Sequence, residues 1–192
     1  VTYNANGGSG APSSQTKDYG TALTLSSTAP TRTGYTFLGW STSSTATSAA
    51  YTAGGTYSSE SNVTLYAVWK ANTYSVKYNA NGGSGTMSNS AHTYDVSKTL
   101  TSNAFTRSGY TFLGWSTNSS ATTATYTNGQ SVKNLNSVDG GTVNLYAVWK
   151  ANTYSVKYNA NGGSGTMSNS SHTYGVSKSL TSNGFSRTGY TF

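Results

Sequence analysis

The phrase GYTFLGW occupies residues 34–40 and 109–115, and its first four letters return at 189–192. Tyr35, Tyr110 and Tyr190 are therefore 75 and 80 residues apart, and YNANGGSG recurs in the same register at 3–10, 78–85 and 158–165. The stretch LYAVWKANTYSVKYNANGGSGTMSNS is letter-for-letter the same at 65–90 and 145–170. Such self-similarity outranks local propensity, because every copy must bury its apolar residues with the same elements. The two periods differ in one place: Trp40 to Trp69 spans 29 positions and Trp115 to Trp149 spans 34, with NLNSVDGG in the longer copy. An insertion of that kind belongs in a surface loop.

The register divides the chain into repeat 1 (1–71), repeat 2 (72–151) and repeat 3 (152–192). Repeat 1 begins inside a strand, and repeat 3 lacks the closing LYAVW block. The expectation is a window cut from a longer array. The alternative is a fibre in which another copy of the chain completes repeat 3. Full units of about 75 to 80 residues lie near the lower size for an independent core. Charged residues make up 8% of the chain, but 16 Tyr and 13% aromatics supply the apolar area that disordered sequences lack. There is no Cys, so neither disulfides nor thiolate metal sites hold the modules. No apolar run approaches the roughly 18 to 20 residues of a membrane span.

The net charge of +7 comes more from scarcity of acids than from abundance of bases. Lys and Arg are scattered singly, which argues against a nucleic-acid partner. A weaker attraction to anionic wall polymers or glycans fits the charge better.

In YSVKYNA, Tyr74, Val76, Tyr78 and Ala80 alternate with polar residues, the period of a strand with one buried face. NGGSG then supplies the positive φ angles of a tight or bulged hairpin, through Asn6, Gly7 and Gly8, Asn81, Gly82 and Gly83, and Asn161, Gly162 and Gly163. AHTYDVSKTL (91–100) reads as the return strand. GYTFLGW reads as a hairpin-forming or central strand, with Tyr110 and Phe112 on one face and Leu113 and Trp115 near the other. TVNLYAVWK closes the module as another strand, and SVKNLNS (131–137) has room for a single helical turn. Only Lys150 to Thr153 separate the last strand of one module from the first of the next, so the array is expected to be a rod.

YNANGG, a Thr-Arg-x-Gly-Tyr-Thr-Phe-x-Gly-Trp core and a closing Leu-Tyr-Ala-x-Trp together resemble the Listeria–Bacteroides repeat, which includes the B-repeat of internalin-type surface proteins. The resemblance covers essentially the whole chain. It implies a mainly β, β-grasp-like small domain that occurs as extracellular repeats in bacterial adhesins. One departure is local: Pro30 before the first GYTF block is replaced by Phe105 before the second.

A phosphate cradle would need a helix after GGSG, and a calcium loop would need converging acids; neither is written here. Asp18, Glu60, Asp95 and Asp139 are the only acids, and His92 and His172 the only His. Lys17 stands where His92 does, and Gly20 and Gly175 stand where Asp95 does, so no acid–base or nucleophile constellation recurs. His92 reads as an exposed strand residue. No catalytic, cofactor or metal site is expected.

The candidate core is Tyr35, Phe37, Trp40, Leu65 and Trp69 with Tyr110, Phe112, Trp115, Leu145 and Trp149. Tyr66 and Tyr146, on the other face of the closing strand, are the candidates for inter-repeat or ligand contact. The function expected is a non-enzymatic stalk or filament body of an extracellular bacterial surface or secreted protein. Its partners would be neighbouring repeats, other copies in a fibre, or host or wall glycans. The alternative is a glycan- or wall-polymer-binding module using exposed Tyr and basic residues.

Overall fold

The computed structural model describes all 192 residues, Val1–Phe192. Repeat 1 supplies β1 (Thr2–Asn4), β2 (Leu23–Thr24), β3 (Tyr35–Ser41), β4 (Thr56–Tyr57) and β5 (Thr64–Ala71). Repeat 2 supplies β6 (Thr73–Asn79), β7 (Ser90–Thr93), β8 (Lys98–Thr99), β9 (Tyr110–Ser116), β10 (Ser131–Val132) and β11 (Gly141–Ala151). Repeat 3 contributes β12 (Thr153–Val156) and β13 (Ser170–Thr173). The chain is a mainly β tandem repeat, and no residue is helical.

The closing LYAVW strand is the middle of each sheet. In repeat 1 the order is β1-β5-β3, with β1 parallel to β5 (Tyr3 opposite Leu65) and β3 antiparallel to it (Phe37 opposite Trp69). In repeat 2 the order is β7-β6-β11-β9, with β9 antiparallel to β11 and β7 antiparallel to β6. The expected alternation in YSVKYNA is present: Tyr74, Val76 and Tyr78 are buried while Lys77 is exposed.

Three local expectations need correction. GYTFLGW is the outer strand of its ladder, covered beyond it only by single bridges from Trp40 to Tyr51 and Trp115 to Tyr126. Its alternation is also broken by a bulge: Leu38 is skipped between Phe37 and Gly39, and Leu113 likewise in β9. The bulge turns Phe37 and Trp40 to the same side, ring centroids 5.0 Å apart, and does the same for Phe112 and Trp115, leaving Leu38 and Leu113 exposed.

NGGSG makes a tight turn but not a tight hairpin. Asn81 (φ 49°) and Gly82 (φ 85°) give a type I′ geometry closed by Gly83 N donating to the Ala80 carbonyl at 3.0 Å. Ser84 then bridges to Thr106, so the turn leads to the segment before GYTF and not straight into β7. The helical turn at 131–137 is absent. Ser131–Val132 pairs with Thr99 and Lys98, and Asn134 takes φ 58° with its side chain bonded to Asp95.

Trp40 and Trp115 anchor the cores at 0% exposure. Trp40 lies 4.8 Å from the Tyr3 ring, and Trp115 lies 5.0 Å from Tyr78 and 6.1 Å from Phe105. Phe105 thus adds an aromatic to the second core where repeat 1 has a buried Pro30. Each fully buried indole contributes roughly 4 to 6 kcal/mol of gross hydrophobic stabilisation.

Sequence repeats and packing units are out of phase. One unit comprises Val1–Lys77, Ser88–Thr101 and Gly129–Asn144, and the other Tyr78–Met87, Ser102–Asn128 and Leu145–Phe192. Asn72 and Asn152, the first residues of repeats 2 and 3, each lie inside one packing unit. The reason is local: β5 and β6 are separated by Asn72 alone, and β11 and β12 by Asn152 alone.

Candidate functional site: the clasp between successive repeats

Asn72 is buried, and all of its hydrogen-bonding groups are used. Its N–H donates to the Gly34 carbonyl at 2.9 Å and its carbonyl accepts from Tyr94 N at 2.9 Å. Its Oδ1 accepts from Thr36 Oγ1 at 2.6 Å, and its Nδ2 donates to the Ser137 carbonyl at 2.8 Å. One linker residue thereby ties GYTF of repeat 1 to two loops of repeat 2.

Gly34 makes room for that approach. It holds φ +77°, and a Cβ there would collide with the Tyr94 ring. Tyr94 lies edge-on to Tyr35, centroids 5.9 Å apart at 74°. The other face of Tyr35 carries the Arg32 guanidinium at 3.8 Å.

Polar groups complete the junction. Tyr35 Oη donates to Asp95 Oδ2 at 2.8 Å, Asn134 Nδ2 donates to Asp95 Oδ1 at 2.9 Å, and Lys133 stands 3.3 Å from the same carboxylate. The Asn134 amide first, then the Tyr35 hydroxyl, hold the Asp95 carboxyl below its ordinary value; the same hydrogen bond pushes the Tyr35 phenol up. On the other side of the linker Thr73 N donates to Asp139 Oδ1 at 2.8 Å, which lowers the Asp139 carboxyl.

The same clasp joins repeats 2 and 3. Asn152 N donates to the Gly109 carbonyl at 2.8 Å, Tyr174 N to the Asn152 carbonyl at 2.8 Å, and Thr111 Oγ1 to Asn152 Oδ1 at 2.6 Å. A Cβ on Gly109 would strike the Tyr174 ring, and Tyr174 meets Tyr110 edge-on at 5.7 Å.

Of the residues expected in the core, Trp40, Leu65, Trp115 and Leu145 are fully buried. Phe37 and Trp69, and Phe112 and Trp149, are half-buried pairs beside the turn; Trp69 Nε1 donates to the Ala5 carbonyl at 3.0 Å and Trp149 Nε1 to that of Ala80 at 2.8 Å. Tyr35 and Tyr110 are not core residues. They pair with Ala71 and Ala151, beside the linker, where the next repeat reaches them.

Tyr66 and Tyr146 are half-buried in mid-strand, Tyr66 between Asn4 and Ser41, away from the linkers. The inter-repeat role expected of them belongs to Tyr35, Tyr94, Tyr110 and Tyr174. The turn asparagines do more than turn: Asn6 Nδ2 donates to the Ala67 and Ser44 carbonyls, and Asn81 Nδ2 to those of Ala147 and Ser119. Gly8 and Gly83 let the turn sit against the Trp69 and Trp149 indoles.

His92 is not exposed. At 2% exposure it stacks on Tyr74 at 5.4 Å, and its Nε2 shares a hydrogen bond with Ser90 Oγ at 2.9 Å. Nδ1 has no partner, and burial, then Lys98, pushes the imidazole below its ordinary pKa. At the matching position of repeat 1, Lys17 pairs with Glu60 at 2.7 Å.

Small mixed-sheet modules, each clasped to the next by a glycine, two tyrosines and an asparagine, define a tandem β-repeat protein. The profile of the Listeria–Bacteroides repeat domain matches residues 1–68, 74–148 and 154–192, and the chain belongs to that family. A Gly-rich protein of Evansella cellulosilytica, whose name proposes a membrane location, is 31% identical over 147 residues, covering 69% of this chain and 16% of its own length. A second Evansella cellulosilytica protein, also with a proposed membrane name, is 30% identical over 165 residues, covering 85% of this chain and 23% of its own. The chain thus spans less than a quarter of either relative. No solved structure matches it.

Proposed function

We propose that this chain is a non-enzymatic structural segment of an extracellular bacterial surface or secreted protein, a semi-rigid stalk or filament body. The observation that carries the reading is the linker. One residue joins successive modules, and its hydrogen bonds reach both of them, so bending there breaks bonds that a flexible tether would not have. Membership of a family of surface repeats, and two longer relatives with proposed membrane names, support the location. Repetition sets reach, and it makes weak contacts multivalent.

Backbone relaxation by NMR tests the reading. Repeats 1 and 2 should report one shared rotational correlation time. Two shorter, independent times would reject a stalk.

A further inference from the structure

We propose that the groove beside each Asn-Gly turn is a binding site for an acidic polysaccharide, with the arginine edge taking the anionic group and the neighbouring aromatics taking the sugar face. The proposal goes beyond the stalk reading, since a rigid rod needs no ligand.

It rests on what the arginines do. The chain has three, Arg32, Arg107 and Arg187, and all stand two residues before the Gly-Tyr of the GYTF phrase; every other basic residue is Lys or His. Each guanidinium is stacked on the tyrosine three residues further on. Arg32 lies 3.8 Å over Tyr35, Arg107 3.9 Å over Tyr110 and Arg187 4.0 Å over Tyr190. The turn runs alongside, where a Cβ on Gly7, Gly82 or Gly162 would come within 3.3–3.6 Å of the guanidinium.

The edges are almost unused. The chain's two ion pairs are Lys17 with Glu60 and Lys133 with Asp95, and neither involves arginine. The one hydrogen bond from any of the three groups is Arg107 Nη1 to the Asn81 carbonyl at 3.4 Å. A planar fork stacked on a ring beside the turn, with most of its rim open, is preorganised for bidentate contact with a carboxylate or sulfate.

The surroundings suit a sugar. In repeat 1 the groove encloses about 760 Å³ and is lined by Gly7, Thr31, Arg32, Tyr35, Phe37 and Trp69, hydroxyls beside half-buried rings. That volume is within the range of small-molecule sites. Asp95 also lines this groove and opposes an anion, whereas Gly175 holds its place in repeat 3, close to Tyr110 Oη. Arg107 therefore has no carboxylate opposing an anion beside it where Arg32 has Asp95, and tandem sites add avidity.

The intact chain would be titrated with polygalacturonate, dextran sulfate and neutral dextran. Both acidic polymers, or one of them if the fork discriminates carboxylate from sulfate, should bind more tightly than neutral dextran. The R32Q/R107Q/R187Q variant should lose about tenfold or more in affinity, with R107Q alone costing more than R32Q. A control of equal charge change, K70Q/K150Q/K157Q on exposed lysines, should stay within about twofold. Equal losses in the two triple variants would overturn the proposal, as would neutral dextran binding equally well.

The unaltered chain gives an independent reading. Trp40 and Trp115 are fully buried, so iodide reaches only Trp69 and Trp149, both at grooves. Bound polymer should shield their fluorescence. Unchanged quenching at saturation would contradict the site even if the arginine variants failed to fold.

Discussion

At the first junction Asp95 accepts from Tyr35 and from Asn134, whereas at the second Gly175 stands in its place. What both junctions keep is the Asn main-chain pair, the Thr–Asn side-chain bond, the glycine notch and the edge-on tyrosines. The shared set combines close approach, ring contact and hydrogen bonds of both main chain and side chain. The contacts of Asp95 are between exposed groups, which contribute less. The comparison teaches that register is set by shape at the linker and only trimmed by charge.

The sharpest way to break the comparison is to fill the notch. Gly34→Ala adds left-handed strain and a clash with Tyr94, and should cost about 2 to 4 kcal/mol in urea unfolding. Gly109→Ala should cost about as much. A loss at one site only would mean that the clasps are not equivalent.

Next in size are the linkers. Asn72→Ala leaves the Ser137 carbonyl and Thr36 hydroxyl unpaired and should cost about 1 to 3 kcal/mol, and Asn152→Ala, which leaves the Thr111 hydroxyl unpaired, should destabilise as well. Unchanged urea midpoints in both variants would mean that the linker asparagines do not hold the junctions.

Acid should act next. The His92 imidazole is held neutral below its ordinary value of 6.5, so the unfolded chain takes the proton first and stability falls as pH drops below about 6.5. His92→Gln should flatten that step. Asp95 and Asp139, held below the ordinary 3.8, add stability that is present above about pH 4 and is lost as the pH falls through their lowered values. Urea midpoints at several pH values check both steps.

The smallest effect should come from exchanging the copy-specific acid. Asp95→Gly should slightly lower the stability of the first junction and Gly175→Asp slightly raise that of the second, with both shifts fading in high salt. A salt-independent change would point to backbone conformation instead, since Asp95 sits at φ 61° and Gly175 at φ 72°.

Much of the module was legible in the letters. Tyr74, Val76 and Tyr78 alternate as a buried strand face must, and Asn-Gly announces its turn. The bulge at Gly39 and Gly114 was hidden because alternation has no symbol for a skipped residue; Phe-Leu-Gly-Trp reads as two faces until Leu38 drops out of the ladder. The clasp was hidden for a different reason. Gly34 looks like any turn glycine, and Tyr35 like any strand aromatic, until the next repeat is placed against them. Recurrence of Tyr94 at Tyr174 beside a variable neighbour was the available signal. His92 misled because its burial depends on Tyr74 lying across it.

The central claim, a first junction locked by the Gly34 notch, is tested most directly by a distance between spin labels placed on either side of it. The chain has no native Cys, so Ser59→Cys and Ser97→Cys, both exposed, can be labelled cleanly. A single narrow distance is expected for the unaltered junction, and a broadened one when Gly34→Ala is added. A distribution already broad in the unaltered junction, and indifferent to Gly34→Ala, would contradict the account.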